Sequence, residues 1–252
     1  MVCSAASACC ASIKSELRWK NLGLNVSSDN VSWVNQFGNF GWNSSRRTYV
    51  VWRAILASTI TAGFSLDLAI DVLDGISAWF PIYLSNWAIF VESCYLSSAF
   101  SIALWIYKKH PDPASEQPFS TKVAWLLRSI GQPGALVVSI AYWALVHDGK
   151  ITLKTLWIHA INSLVVFLDI LTSCHEVRIM HYAYVLAFGC LYIAWTVVHY
   201  HANIRDGRSP GNRYIYSALD WSAESQGKVR EHTPALDTHP TTWRGHLPPG
   251  PG

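Results

Sequence analysis

Apolar and polar positions along this chain fall into long blocks. Five stretches, 49–72, 84–107, 122–146, 153–174 and 179–200, are mostly apolar over 22 or more residues each, and about 20 such residues suffice to cross the hydrocarbon of a bilayer as a helix. Each therefore predicts a membrane span. The second stops at Lys108-Lys109-His110-Pro111, and the third carries Gly131-Gln132-Pro133-Gly134 in its middle, where Pro133 removes a backbone donor and predicts a kink. Ahead of the spans lies a polar segment, 1–47, in which Leu17-Arg18-Trp19-Lys20 predicts a short interfacial helix. Behind them, 204–252 contains Pro210, Pro234, Pro240, Pro248, Pro249 and Pro251, and predicts disorder beyond a surface segment, Tyr214 to Trp221. The expected fold class is all-α, a multi-pass transmembrane helical bundle of about five spans in 48–203, between a polar N-terminal segment and a polar C-terminal tail.

Composition sharpens this pattern. Of 252 residues 51% are hydrophobic, 14% charged and 13 are Trp, whereas a soluble domain is about a quarter charged. The mean hydropathy of +0.19 is low for a membrane protein because the average includes the tails: 48–203 holds 17 charged residues in 156 positions, and 204–252 holds 11 in 49. A net charge of +3 without an Arg/Lys stripe among the aromatics excludes a nucleic-acid surface. The partners expected are membrane lipids, and no nucleic acid.

Cys94, Cys174 and Cys190 are scattered through apolar segments and read as packing residues, while Cys3, Cys9 and Cys10 form a cluster open to palmitoylation. Met1 to Lys14 lacks a basic start and a long apolar run, so no cleaved signal is expected. Lys/Arg placement favours a cytosolic N-terminus: that side then receives Arg46, Arg47, Lys108, Lys109, Lys122 and Arg178, and the first loop, 73–83, holds no Lys or Arg. The sequons at Asn25, Asn30 and Asn43 would be glycosylated only in the opposite orientation. The membrane is the plasma membrane or an endomembrane.

Arg53, Asp67, Asp71, Glu92, Arg128, His159, Asp169, His181 and His199 fall inside the apolar stretches. A central charge costs roughly 2.5–3.5 kcal/mol to insert, so such groups face the bundle, pair, or sit near headgroups. Asp67 and Asp71 are four apart, and Arg53 lies within about 40° of Asp67 on the same helical wheel. Arg128 and Gln132 are also four apart, Ser85 and Glu92 align to about 20°, and His159, Asn162 and Asp169 share an arc of about 80°. Four helices thus carry inward polar stripes. Arg53, Asp67, Asp71, Glu92, Arg128 and Asp169 read as structural polar groups that set register between helices.

Ser85 and His159 admit a chemical reading. The second and fourth spans run in the same direction, Ser85 opens one and His159 lies about six residues into the other, so their depths differ by roughly 8 Å. A hydroxyl nucleophile needs a base, usually His, and this pair supplies one. Asp169 is about 15 Å further along the helix and cannot orient that imidazole. A backbone carbonyl, Asn86, Asn162 or another helix does so, or the pair is a dyad, and the two asparagines are also candidate oxyanion donors. His175 with His181, and His199-Tyr200-His201, lack the spacing and carboxylates of a helical metal site, so no metal and no cofactor are expected. No Gly-x-Ser-x-Gly elbow, phosphate loop or dinucleotide fingerprint is present in the sequence. Trp52, Trp79, Trp87, Trp105, Trp125 and Trp157, near span ends, predict an interfacial belt.

Several stretches together resemble the rolling stone family, relatives of the androgen-induced and androgen-dependent membrane hydrolases. These are Trp52-Arg53-Ala54, Tyr83-Leu84-Ser85-Asn86-Trp87, Tyr142-Trp143, His159-Ala160-Ile161-Asn162-Ser163 with Asp169, Arg178 with His181 and Tyr184, and Ile215-Tyr216 to Leu219-Asp220-Trp221. The resemblance implies an all-helical multi-pass membrane protein, associated in rolling stone members with myoblast fusion and in the androgen-induced relatives with cleavage of fatty-acid esters of hydroxy fatty acids. Those hydrolases use a Thr opening the second span and a His early in the fourth, which correspond here to Ser85 and His159. Ser keeps the hydroxyl, while the following Asn86-Trp87 is the rolling stone form. The hydrolases also carry a sixth span where this chain turns polar, which implies five spans here. Two functions follow: an intramembrane Ser/His lipid ester hydrolase, or a non-enzymatic membrane protein of adhesion, fusion or scaffolding.

Overall fold

A computed structural model of the chain describes residues 16–26, 32–42, 45–147, 149–204, 214–216 and 219–222. The cluster Cys3, Cys9 and Cys10, the sequon asparagines Asn30 and Asn43, and the tail 223–252 lie outside the described residues. Among the described residues five helices are long and apolar enough to cross a membrane: Arg46–Leu73, Leu84–Lys109, Phe119–Val146, Leu153–Thr172 and Ile179–His201. Among the described residues no strand accompanies them, only an isolated bridge between Phe40 and Ser173. The expected all-α bundle with five apolar spans is therefore the observed architecture.

The span ends follow local chemistry. The Ser45 hydroxyl accepts from the Arg47 amide and opens the first span. The second ends at His110, in the left-handed region at φ 47°, immediately before Pro111, which cannot extend a helix. The third passes through Pro133 as one α-helix, Phe119–Ala141, and closes in a π-helical turn, Tyr142–Val146. The fourth contains a second π-helical turn, Leu156–Ile161, which carries His159.

The second span is the central helix, packed against both the first and the third. Leu56, Ile60, Ile89, Leu96 and Ile158 form the heart of the core. Val51, Ile55, Ile140, Leu164 and Leu186 stay exposed on the outer faces, as lipid-facing residues do. Two glycines permit close approach. A Cβ on Gly63 would lie 1.7 Å from the Trp157 ring, and one on Gly131 would lie 2.6 Å from the Glu92 carboxylate.

Segments outside the spans pack on both ends of the bundle. Trp19–Leu22 forms a 3₁₀ turn, and a short helix, Trp33–Gly38, buries Trp33, Val34 and Phe37 against Ile102, Ile106 and Trp125. The Arg178 guanidinium donates to the carbonyls of Gly23 at 2.8 Å and Asn25 at 2.9 Å, tying this segment to the loop before the fifth span. At the other end Trp221 donates to the Thr196 hydroxyl at 3.2 Å, and the Tyr216 ring meets Tyr83 at 6.2 Å, so part of the predicted surface segment packs on the spans. The tryptophan belt is divided as well. Trp125 is fully buried beneath Arg178, Trp157 lies on Gly63, and Trp52 donates to the Thr172 hydroxyl.

Candidate functional site

The polar stripes meet in two places. At the centre, Arg53 of the first span forms an ion pair with Asp169 of the fourth. Asp169 also accepts from the Tyr95 hydroxyl at 2.7 Å and the Gln132 amide at 2.6 Å, while Arg53 Nε donates to the Tyr49 hydroxyl at 2.7 Å. Four spans are thereby joined through one carboxylate. The wheel places Arg53 beside Asp67, but fourteen residues separate them by about 21 Å of rise, so a shared face brings no contact. Asp67 and Asp71 take the ammonium of Lys154 instead, at 2.5 and 2.7 Å. Glu92 and Arg128 are both buried, and no ion pair joins them among the described residues.

The second place is a cavity of about 200 Å³ where the start of the second span, the end of the third and the start of the fourth converge. Ser85, Asn86, Tyr142, Lys154, His159 and Tyr216 line it. Ser85 is half-buried in the first turn of its helix, and His159 is buried in the π-helical turn. π-Helical turns are rare and frequent at functional sites. The His159 ring lies flat on Tyr142, with centroids 3.7 Å apart and planes within 4°, and its backbone carbonyl accepts from the Ser139 hydroxyl at 3.0 Å. Its Nδ1 has no hydrogen-bond partner among the described residues, so ring stacking rather than a carboxylate sets the orientation.

Ser85 and His159 share this cavity without a direct hydrogen bond. Asn86 Nδ2 donates to the Phe80 carbonyl at 2.8 Å, securing the 3₁₀ turn Ser77–Ile82. Asn162 is buried with its Oδ1 unpartnered and does not line the cavity. Asp169 is held by the central network. The site residues that sequence reasoning missed are Lys154 and Tyr216. Two aspartates at the end of the first span require a cation, and Lys154 opens the fourth span on that same side, a signal that was present; nothing marked Tyr216 as a lining residue. No group of three or more His, Cys, Asp or Glu is placed to hold a metal among the described residues.

A sequence profile described as "Protein rolling stone" matches residues 5–231. The chain belongs to the rolling stone family. A relative from Drosophila melanogaster, also described as "Protein rolling stone", is 23% identical over 228 residues, which cover 84% of this chain and 80% of the relative. No solved structure matches. The rolling stone profile takes in all five spans, the Ser85–His159 cavity and the segment carrying Tyr216.

Proposed function

We propose that this rolling stone family membrane protein is an intramembrane hydrolase of lipid esters, with Ser85 as nucleophile and His159 as base. The observation that carries the reading is that Ser85 and His159, on different spans and 74 positions apart in sequence, line one cavity. Two apolar grooves share lining residues with it. Asn86 borders one of about 430 Å³ walled by Phe64, Phe90 and Leu191, and His159 borders another of about 560 Å³ walled by Leu136, Ile140 and Trp143. Such grooves accept the hydrocarbon arms on either side of an ester.

In this reaction the Ser85 hydroxyl attacks the ester carbonyl carbon while His159 takes its proton, then returns it to the departing alkoxide of the hydroxy lipid. Water then attacks the acyl-serine, His159 again taking and returning the proton, and a fatty acid leaves. Tyr142, stacked on the imidazole, holds the ring in its plane. The pair works as a dyad, and the missing contact is one that catalytic groups make only once substrate is bound.

The absence of a Ser85–His159 hydrogen bond favours the second reading, a non-enzymatic protein of adhesion, fusion or scaffolding. A lipophilic fluorophosphonate separates the two in the purified chain. Wild type is expected to be labelled, and Ser85→Ala and His159→Ala to lose labelling by about 100-fold or more. A wild type that neither labels nor cleaves any lipid ester removes the hydrolase reading and leaves the second.

A further inference from the structure

At the end of the bundle opposite Ser85, a cavity of about 320 Å³ lies between the third span, the fourth span and the start of the fifth. Arg128, Ser129, Glu176, Arg178 and His181 supply its polar wall. Arg178 is engaged: it pairs with Glu176 at 3.1 Å, donates to two backbone carbonyls and lies over the Trp125 ring. Ser129 and His181 are joined at 2.9 Å. Arg128 is different. It is 6% exposed, its Nε is buried with no partner, and no hydrogen bond or ion pair reaches its guanidinium among the described residues.

A guanidinium cannot shed its charge by deprotonation, and a buried unpaired charge is costly. Glu92 acts on Arg128 electrostatically through the core but makes no ion pair with it and does not line the cavity. Glu176 does line the cavity, and its carboxylate is taken by Arg178. One positive charge is therefore left facing this space, and a guanidinium fork matches the paired oxygens of a phosphate or carboxylate. The outer rim is apolar. Val137, Val177 and Tyr182 are 61%, 71% and 57% exposed there, beside Ile170. A free anion gains nothing from such a rim, whereas a lipid lays its acyl chains along it.

We propose that the Arg128 cavity binds the anionic headgroup of a membrane lipid, with the guanidinium on the headgroup anion and the acyl chains along Val137, Ile170 and Val177. The Lys/Arg placement along the chain favours a cytosolic position for this end, and anionic lipids are concentrated in the cytosolic leaflet. The site is separate from Ser85 and stands whether or not the protein is a hydrolase.

The test is native mass spectrometry of the full chain in detergent, titrated with dioleoylphosphatidylserine, dioleoylphosphatidylcholine or inorganic phosphate. Wild type is expected to hold the serine lipid about tenfold more tightly than the choline lipid. Arg128→Gln abolishes that preference, Arg128→Lys keeps part of it, and Ser85→Ala leaves it intact. Val137→Trp, on an exposed position, weakens lipid binding with the guanidinium in place and guards against misfolding of the Arg128 variants. Glu176→Gln strengthens binding by removing a neighbouring negative charge, a gain that unfolding cannot imitate. The proposal is overturned by equal binding of the two lipids to wild type, by a preference that survives both Arg128→Gln and Val137→Trp, or by inorganic phosphate binding as tightly as the serine lipid.

Discussion

Asp169 accepts from groups on three other spans: Arg53 on the first, Tyr95 on the second and Gln132 on the third. Truncating it strands the buried Arg53 charge together with two buried donors. Asp169→Ala should therefore lower stability by about 3–5 kcal/mol, read as thermal unfolding in detergent. The paired replacement Arg53→Met with Asp169→Leu should recover most of that loss, because it leaves no buried charge without a partner. A recovery no better than the sum of the single variants would mean that the ion pair is not the source of the effect. Sequence made the inward stripes legible here, since a helical wheel reports which side chains share a face. It does not report depth against a neighbouring helix. For that reason Arg53 met Asp169 rather than Asp67, and Lys154, at the start of the fourth span, closed on both aspartates of the first span.

Among the helices, packing distance is set by where side chains are missing. Gly63 lets the Trp157 ring lie directly on the first span, and the added Cβ of an alanine would overlap that ring. Gly63→Ala should cost about 1–3 kcal/mol as the first and fourth spans separate. A shift in tryptophan emission should accompany it. Gly134 lies in the third span with nothing within 4 Å of an added Cβ, so Gly134→Ala should be neutral or stabilise by up to about 1 kcal/mol through helix propensity. Equal losses at both glycines would contradict this account. The span limits were legible to within a few residues because burial in hydrocarbon demands a long unbroken apolar run. The π-helical turn that points His159 at the cavity was not, since one wide turn alters no hydrophobic pattern.

At the scale of the whole molecule, the segment before the first span is fastened to the bundle, and His175 sits at the joint. Its ring meets Phe37 of the short N-terminal helix edge-on at 4.5 Å and also approaches Tyr95, and neither ring nitrogen has a hydrogen-bond partner among the described residues. Burial holds its pKa well below the ordinary value of 6.5, with Arg128 and Arg53 adding to the effect. The unfolded chain takes up a proton below about pH 6.5 that the folded protein refuses. Stability should thus be complete above that pH and fall on acidification, by up to about 1.4 kcal/mol per pH unit from this residue. His175→Gln should flatten the fall between about pH 6.5 and 5 in thermal unfolding measured against pH; an unchanged slope would assign the acid sensitivity elsewhere. The sequence by itself determined that this is a helical membrane protein with five apolar spans, because hydrocarbon imposes length and apolarity on each segment independently of its neighbours. Tertiary structure alone decided which charges pair, that Ser85 and His159 line a common cavity, and that Arg128 faces an open one without a partner among the described residues. Those outcomes depend on the relative depth and rotation of helices distant in sequence, which no single segment encodes.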